Sequence, residues 1–189
     1  MIKFGFKYLV LALLVSAALA GPGRAAEPAM IEQLVVTNSA SEVLLYGQVK
    51  NAFVPEMEEA VRNGLPVTFT FFVELHRRRT GWPDQKIADF SFEHLLVYDS
   101  LKEEYRVTHG EKNDRVFTVK SLDEARRLMV RVNGLAVAPL AALAPEQRYT
   151  LRIKARLSEK TLPLSFHRIV PFWRLWNFET EWHQVEFRY

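Results

Sequence analysis

Residues 65–77 read LPVTFTFFVELHR. In an extended chain Val67, Phe69, Phe71, Val73 and Leu75 point one way, and Thr68, Thr70, Phe72, Glu74 and His76 the other. This alternation predicts a strand with one buried face and one largely wet face, which is the habit of antiparallel sheets. A parallel strand covered on both sides reads instead as an unbroken apolar run. Beyond it, Thr80-Gly81-Trp82-Pro83-Asp84 carries turn residues and predicts a connection to a partner strand over 85–96. The strand pattern continues at 95–98, 104–108 and 116–119, with residues 110–114 as a polar turn.

Upstream, residues 31–37 and 43–51 read as strands joined by the turn Asn38-Ser39-Ala40-Ser41. Downstream, Tyr149, Leu151, Ile153, Ala155 and Leu157 alternate with Thr150, Arg152, Lys154 and Arg156, and a last strand is expected over 181–189. Two stretches change period. In 55–63, Met57, Ala60 and Val61 share a face, with Pro55 at the start and Gly64 just past the end. From 121 onward, Leu122, Ala125, Leu128, Met129 and Val132 recur at helical spacing. Ser121 with Glu124 has the spacing of a capping box, and Asn133-Gly134 reads as the stop.

Many strands and only two helices predict a mainly β (β-rich α+β) fold. The expected form is an antiparallel β-sandwich or an open barrel-like sheet with two short helices, built as a single domain over 30–189. A doubly wound parallel sheet would need more crossover helices than these.

The first residues, MIKFGFKYLVLALLVSAALA, have another character. Lys3 and Lys7 precede an uncharged apolar run of about 13 residues, whereas a membrane-spanning helix needs about 20. A basic start, a short apolar core and the small residues Ala18 and Ala20 predict a secretory signal peptide over 1–20, cleaved as late as 26. A disordered stretch over 21–29 and a periplasmic destination follow as expectations. The chain has no cysteine, which excludes a lipid-anchored lipoprotein, a disulfide framework and a thiolate metal site.

Removing residues 1–20 takes away two lysines and no acid, so 25 basic side chains become 23 against 22 acidic ones, a net of +1. The sequence pI of 9.2 therefore belongs partly to the leader, and no nucleic-acid partner is expected.

Chemistry is sparse. His76, His94, His109, His167 and His183 stand singly, without the close pair that marks a histidine metal site, and neither a nucleophile elbow nor a phosphate loop is present. No catalytic residue, metal or cofactor is assigned. Three features remain. Arg77, Arg79, Trp82 and Asp84 cluster at the end of the decisive strand, where guanidinium forks and an indole suit an anionic group. The plainer alternative has Glu74 and Asp84 neutralising the arginines while Trp82 closes the core. Second, Arg148, Arg152, Lys154 and Arg156 form a basic row, either a phosphate-facing surface or a solvated sheet face paired with neighbouring acids. Third, the tail carries Trp173, Trp176 and Trp182, which either line a second aromatic surface or complete the core.

Asn51-Ala52-Phe53, then Gly64-Leu65-Pro66-Val67-Thr68-Phe69 and Glu74-Leu75-x-Arg77-x-Arg79-x-x-Trp82-x-Asp84, resemble a bacterial family, domain of unknown function 4390. Tyr98-x-x-Leu101-x-x-x-Tyr105-x-Val107 and Leu162-Pro163-Leu164 extend the resemblance over most of the chain. It implies an exported proteobacterial protein, in some genomes encoded beside membrane sensor kinases, and it supplies no catalytic residue. The expectation is a periplasmic binding or interaction domain, associated with the membrane at most peripherally. Its partner would be an envelope protein, such as a sensor's extracytoplasmic region, or an amphiphilic or anionic ligand. The alternatives are a periplasmic enzyme acting on an envelope component and an eight-stranded outer-membrane barrel.

Overall fold

The computed structural model describes residues 27–157 and 178–189. Strands β1 (Met30–Asn38) and β2 (Glu42–Lys50) form a hairpin, followed by helix α1 (Pro55–Arg62). Strands β3 (Val67–Arg77), β4 (Gln85–Asp99) and β5 (Glu104–His109) follow, then a single 3-10 turn (Gly110–Lys112) and β6 (Arg115–Val119). Helix α2 (Leu122–Val130), β7 (Arg131–Pro139), β8 (Arg148–Leu157) and β9 (His183–Arg188) complete the order. The strands form two antiparallel sheets, one ordered β1-β2-β7 and the other β6-β5-β4-β3-β8-β9.

The decisive strand lies inside the larger sheet, paired with β4 on one side and β8 on the other. Its predicted inner face is fully covered: Phe69, Phe71, Val73 and Leu75 have no exposed surface. Leu151, Ile153 and Ala155 of β8 continue that layer, as do Leu96 of β4 and Val107 of β5. From the smaller sheet come Val43, Leu45, Val132, Leu135 and Val137, so apolar faces of both sheets enclose one core. Helices α1 and α2 add Met57, Ala60, Val61, Ala125 and Met129 to it. Neither sheet closes on itself among the described residues, and no helix among them is long and apolar enough to cross a membrane.

Local chemistry explains most boundaries. Ser39 Oγ accepts the amide protons of Ser41 and Glu42, closing the β1–β2 turn. Pro55 begins α1, and Gly64, at φ +81°, turns the chain out of it. The Tyr149 hydroxyl accepts the Ala144 amide proton at 2.7 Å, pinning the loop before β8.

Two expectations need correction. Helix α2 ends at Val130, and residues 131–139 form strand β7, which the helical spacing of Val132 concealed. The cause is tertiary: β2 offers an unpaired ladder, and Val132, Leu135 and Val137 can bury once β7 pairs with it, on either side of a register shift at Gly134. Gly134, at φ +71° and against the Tyr46 ring, marks an irregularity inside this strand rather than a helix stop. Likewise Ser121 occupies the N-cap position of α2, but its side chain makes no capping hydrogen bond, so the capping box is not formed.

Candidate functional site

The β3–β4 hairpin holds the residues that the sequence singles out. Arg78 donates its amide proton to the Arg148 carbonyl at 2.8 Å, so β8 still supports the chain one residue beyond β3. Gly81, at φ +75°, makes the turn, and Asp84 Oδ1 accepts the Arg79 amide proton at 3.2 Å. Trp82 sits at the tip with 76% of its surface exposed, so it does not close the core. Asp84 pairs with Arg78 at 3.5 Å, and Arg78 also reaches Glu186 on β9.

Arg77 and Arg79 are arranged differently. Both donate from Nη2 to one neutral oxygen, Gln85 Oε1, at 2.7 Å in the case of Arg79. Among the described residues neither guanidinium has a carboxylate in ion-pair contact. Two cations are therefore held side by side by an amide, with an exposed indole close by in sequence. Glu74 does not neutralise them, because it is taken by Arg152 (2.6 and 2.9 Å) and by His76 (2.8 Å).

Two of the four cations of the basic row on β8 have ion-pair partners among the described residues. Arg152 faces Glu74 across the β3–β8 ladder, and Lys154 pairs with Glu179. Trp182 lies against both cations, 4.6 Å from the Arg152 guanidinium and 5.1 Å from the Lys154 ammonium. Trp173 and Trp176 lie outside the described residues. Burial works to raise the Glu74 carboxyl, but the hydrogen bonds from His76 and Arg152 outweigh it, leaving the group below its ordinary value of 4.5. A carboxylate whose folded value is depressed stabilises the fold above its unfolded value, and that contribution fades as pH falls through the folded value. Glu74→Gln should thus be less stable than wild type at neutral pH, with the gap closing below about pH 4.5 in chemical denaturation series.

A second constellation was invisible as a sequence motif. His94 on β4 stands directly opposite His109 on β5, and Glu111 follows in the 3-10 turn. The two imidazoles are parallel within 7°, with centroids 3.9 Å apart. Phe71, Phe92 and Phe117 surround them at centroid distances of 4.8 to 5.5 Å. All three side chains are buried. His94 Nδ1 donates to the Met129 carbonyl at 2.9 Å, in the last turn of α2, and His94 Nε2 lies 3.0 Å from Glu111 Oε2.

His109 Nδ1 is 3.2 Å from Glu111 Oε1 but off the hydrogen-bond direction, so that contact is electrostatic and only His94 completes a bond. Burial works to raise the Glu111 carboxyl; the adjoining imidazoles of His109 and His94 overcome this and hold it well below the usual carboxylate range. Gly110 makes the turn possible, because a Cβ there would come within 3.0 Å of the Glu93 carbonyl oxygen. The available signal was the phase of His94, which shares a strand face with the buried Phe92 and Leu96, together with His109-x-Glu111 across the next turn.

Neither the curated proteins nor the solved structures give a match to this chain. One family model does match, over residues 26–186, which is most of the chain and includes both constellations. The chain belongs to that family, described as Domain of unknown function (DUF4390).

Proposed function

We propose that this chain is an exported envelope domain that binds an acidic protein partner through the β3–β4 hairpin. One observation carries the reading: Arg77 and Arg79 converge on the neutral Gln85 oxygen, in the hairpin whose tip exposes Trp82. Like charges held together repel, and a carboxylate arriving between them relieves that repulsion while accepting bonds from both forks. Trp and Arg are also the side chains that most often dominate binding energy at protein interfaces. The leader-like first 20 residues support export, and the absence of cysteine suits an oxidising compartment.

The test compares the tagged wild-type chain with Arg77→Ala combined with Arg79→Ala. Both side chains bond to a neutral acceptor at the surface, so the double variant should keep its stability to within about 1 kcal/mol. Its affinity for the envelope protein that wild type captures should fall at least about tenfold, and wild-type binding should weaken with added salt. Equal capture by both proteins would overturn the assignment. So would a loss of several kcal/mol of stability, because the arginines would then be structural.

A further inference from the structure

We propose that His94, His109 and Glu111 form a site for a single divalent transition-metal ion of the zinc class. Each residue offers one ligand atom, and the three atoms lie within 4.8 Å of one another. The placement follows from the ladder. His94 and His109 are a directly opposed cross-strand pair, and Glu111, two residues after His109, returns to the same pocket through the 3-10 turn. Two imidazoles and one carboxylate are a donor set that suits zinc.

Two further observations point to an ion. His94 already has the outer bond that ligating histidines use: Nδ1–H donates to the Met129 carbonyl, which fixes the tautomer and leaves Nε2 directed at Glu111. The place between Nε2 and the carboxylate holds a proton or a metal, and metal entry displaces the proton to solvent. The pocket also contains polar atoms that nothing satisfies. His109 Nδ1, His109 Nε2 and Glu111 Oε1 are buried without a hydrogen-bond partner among the described residues. Such groups are rare in native interiors, and one ion would take up one His109 nitrogen and a Glu111 oxygen at once.

The ring geometry indicates what must move when the ion binds. A metal lies near the plane of each imidazole that ligates it, about 2.0–2.1 Å from the nitrogen. Rings stacked in parallel 3.9 Å apart cannot both meet that condition, so one ring must turn. His94 is tied to Met129, whereas His109 has no hydrogen bond to lose. His109 is therefore the ligand that swings. With all three side chains buried, the fourth position falls to the second Glu111 oxygen or to a water, and the ion's role is structural. It locks β4, β5 and the end of α2 together.

The test titrates the purified, chelator-treated chain with Zn2+ by calorimetry and with Co2+ by visible absorption. One ion per chain, a higher melting temperature with Zn2+, and cobalt bands typical of low coordination number are expected. Zn2+ affinity should fall at least about 100-fold in His109→Ala and in Glu111→Gln, while His76→Ala and His183→Ala bind as wild type. Should either pocket variant fail to fold, X-ray absorption of the zinc-loaded wild type still decides, by counting two imidazoles. No stoichiometric binding by wild type, fewer than two imidazoles, or binding that survives both pocket variants would overturn the proposal.

Discussion

Phe69→Ala is expected to destabilise the fold by about 3–5 kcal/mol, in the range for truncating a fully buried phenylalanine. Phe69 has no exposed surface, and its ring meets Phe178 edge-on at 5.0 Å and Phe53 at 5.3 Å. It joins the central strand to the segment before α1 and to the segment leading into β9. Truncation removes the apolar contact of three chain segments at once. The β3–β4 and β3–β8 ladders on either side limit how far the site can collapse, so a cavity remains. In urea unfolding the midpoint should fall with little change in slope. A loss below about 1 kcal/mol would mean that these three segments do not close on this ring.

Glu111→Ala, measured with a chelator present, should cost about 3–5 kcal/mol, because removing one partner strands the other in a buried site. His94 Nε2 would lose its only hydrogen-bond partner among the described residues, in a buried place against Phe71 and Phe92. Glu111→Gln should lose clearly less, since an amide oxygen can still face Nε2. Gln keeps the volume of the buried Glu111 side chain and Ala does not, so the difference between the two variants combines the lost polar partner with the lost packing. Equal, small losses would show that the His94–Glu111 contact carries no stability. Calorimetric melting of the three proteins at one pH makes the comparison.

Alternation was the most legible feature. Val67 to Leu75 and Tyr149 to Leu157 show their inner faces directly, because side-chain direction in a strand has period two whatever the partner strand is. Helix α1 was legible for a similar reason: proline and glycine act on their own backbone angles. Strand β7 was not. Val132 fits the helical face of α2 as well as it fits a strand, and the choice was made by β2, some 85 residues earlier in sequence, through seven register pairs. The hairpin cluster shows the same division. Arg77, Arg79 and Trp82 are visible together in the sequence, but that Gln85 gathers both guanidinium groups while Glu74 turns to Arg152 follows from ladder register.

By itself, the sequence determined the β-rich class, the position of the central strand, the two short helices and the family resemblance. These rest on local periodicity, composition and motif, which need no knowledge of distant neighbours. Only the tertiary structure decided that there are two sheets, that β7 joins β2, and that His94 meets His109 and Glu111. The physical reason is that antiparallel pairing fixes which distant residues stand opposite one another. A histidine isolated in sequence becomes half of a stacked pair once the register of β4 on β5 is set.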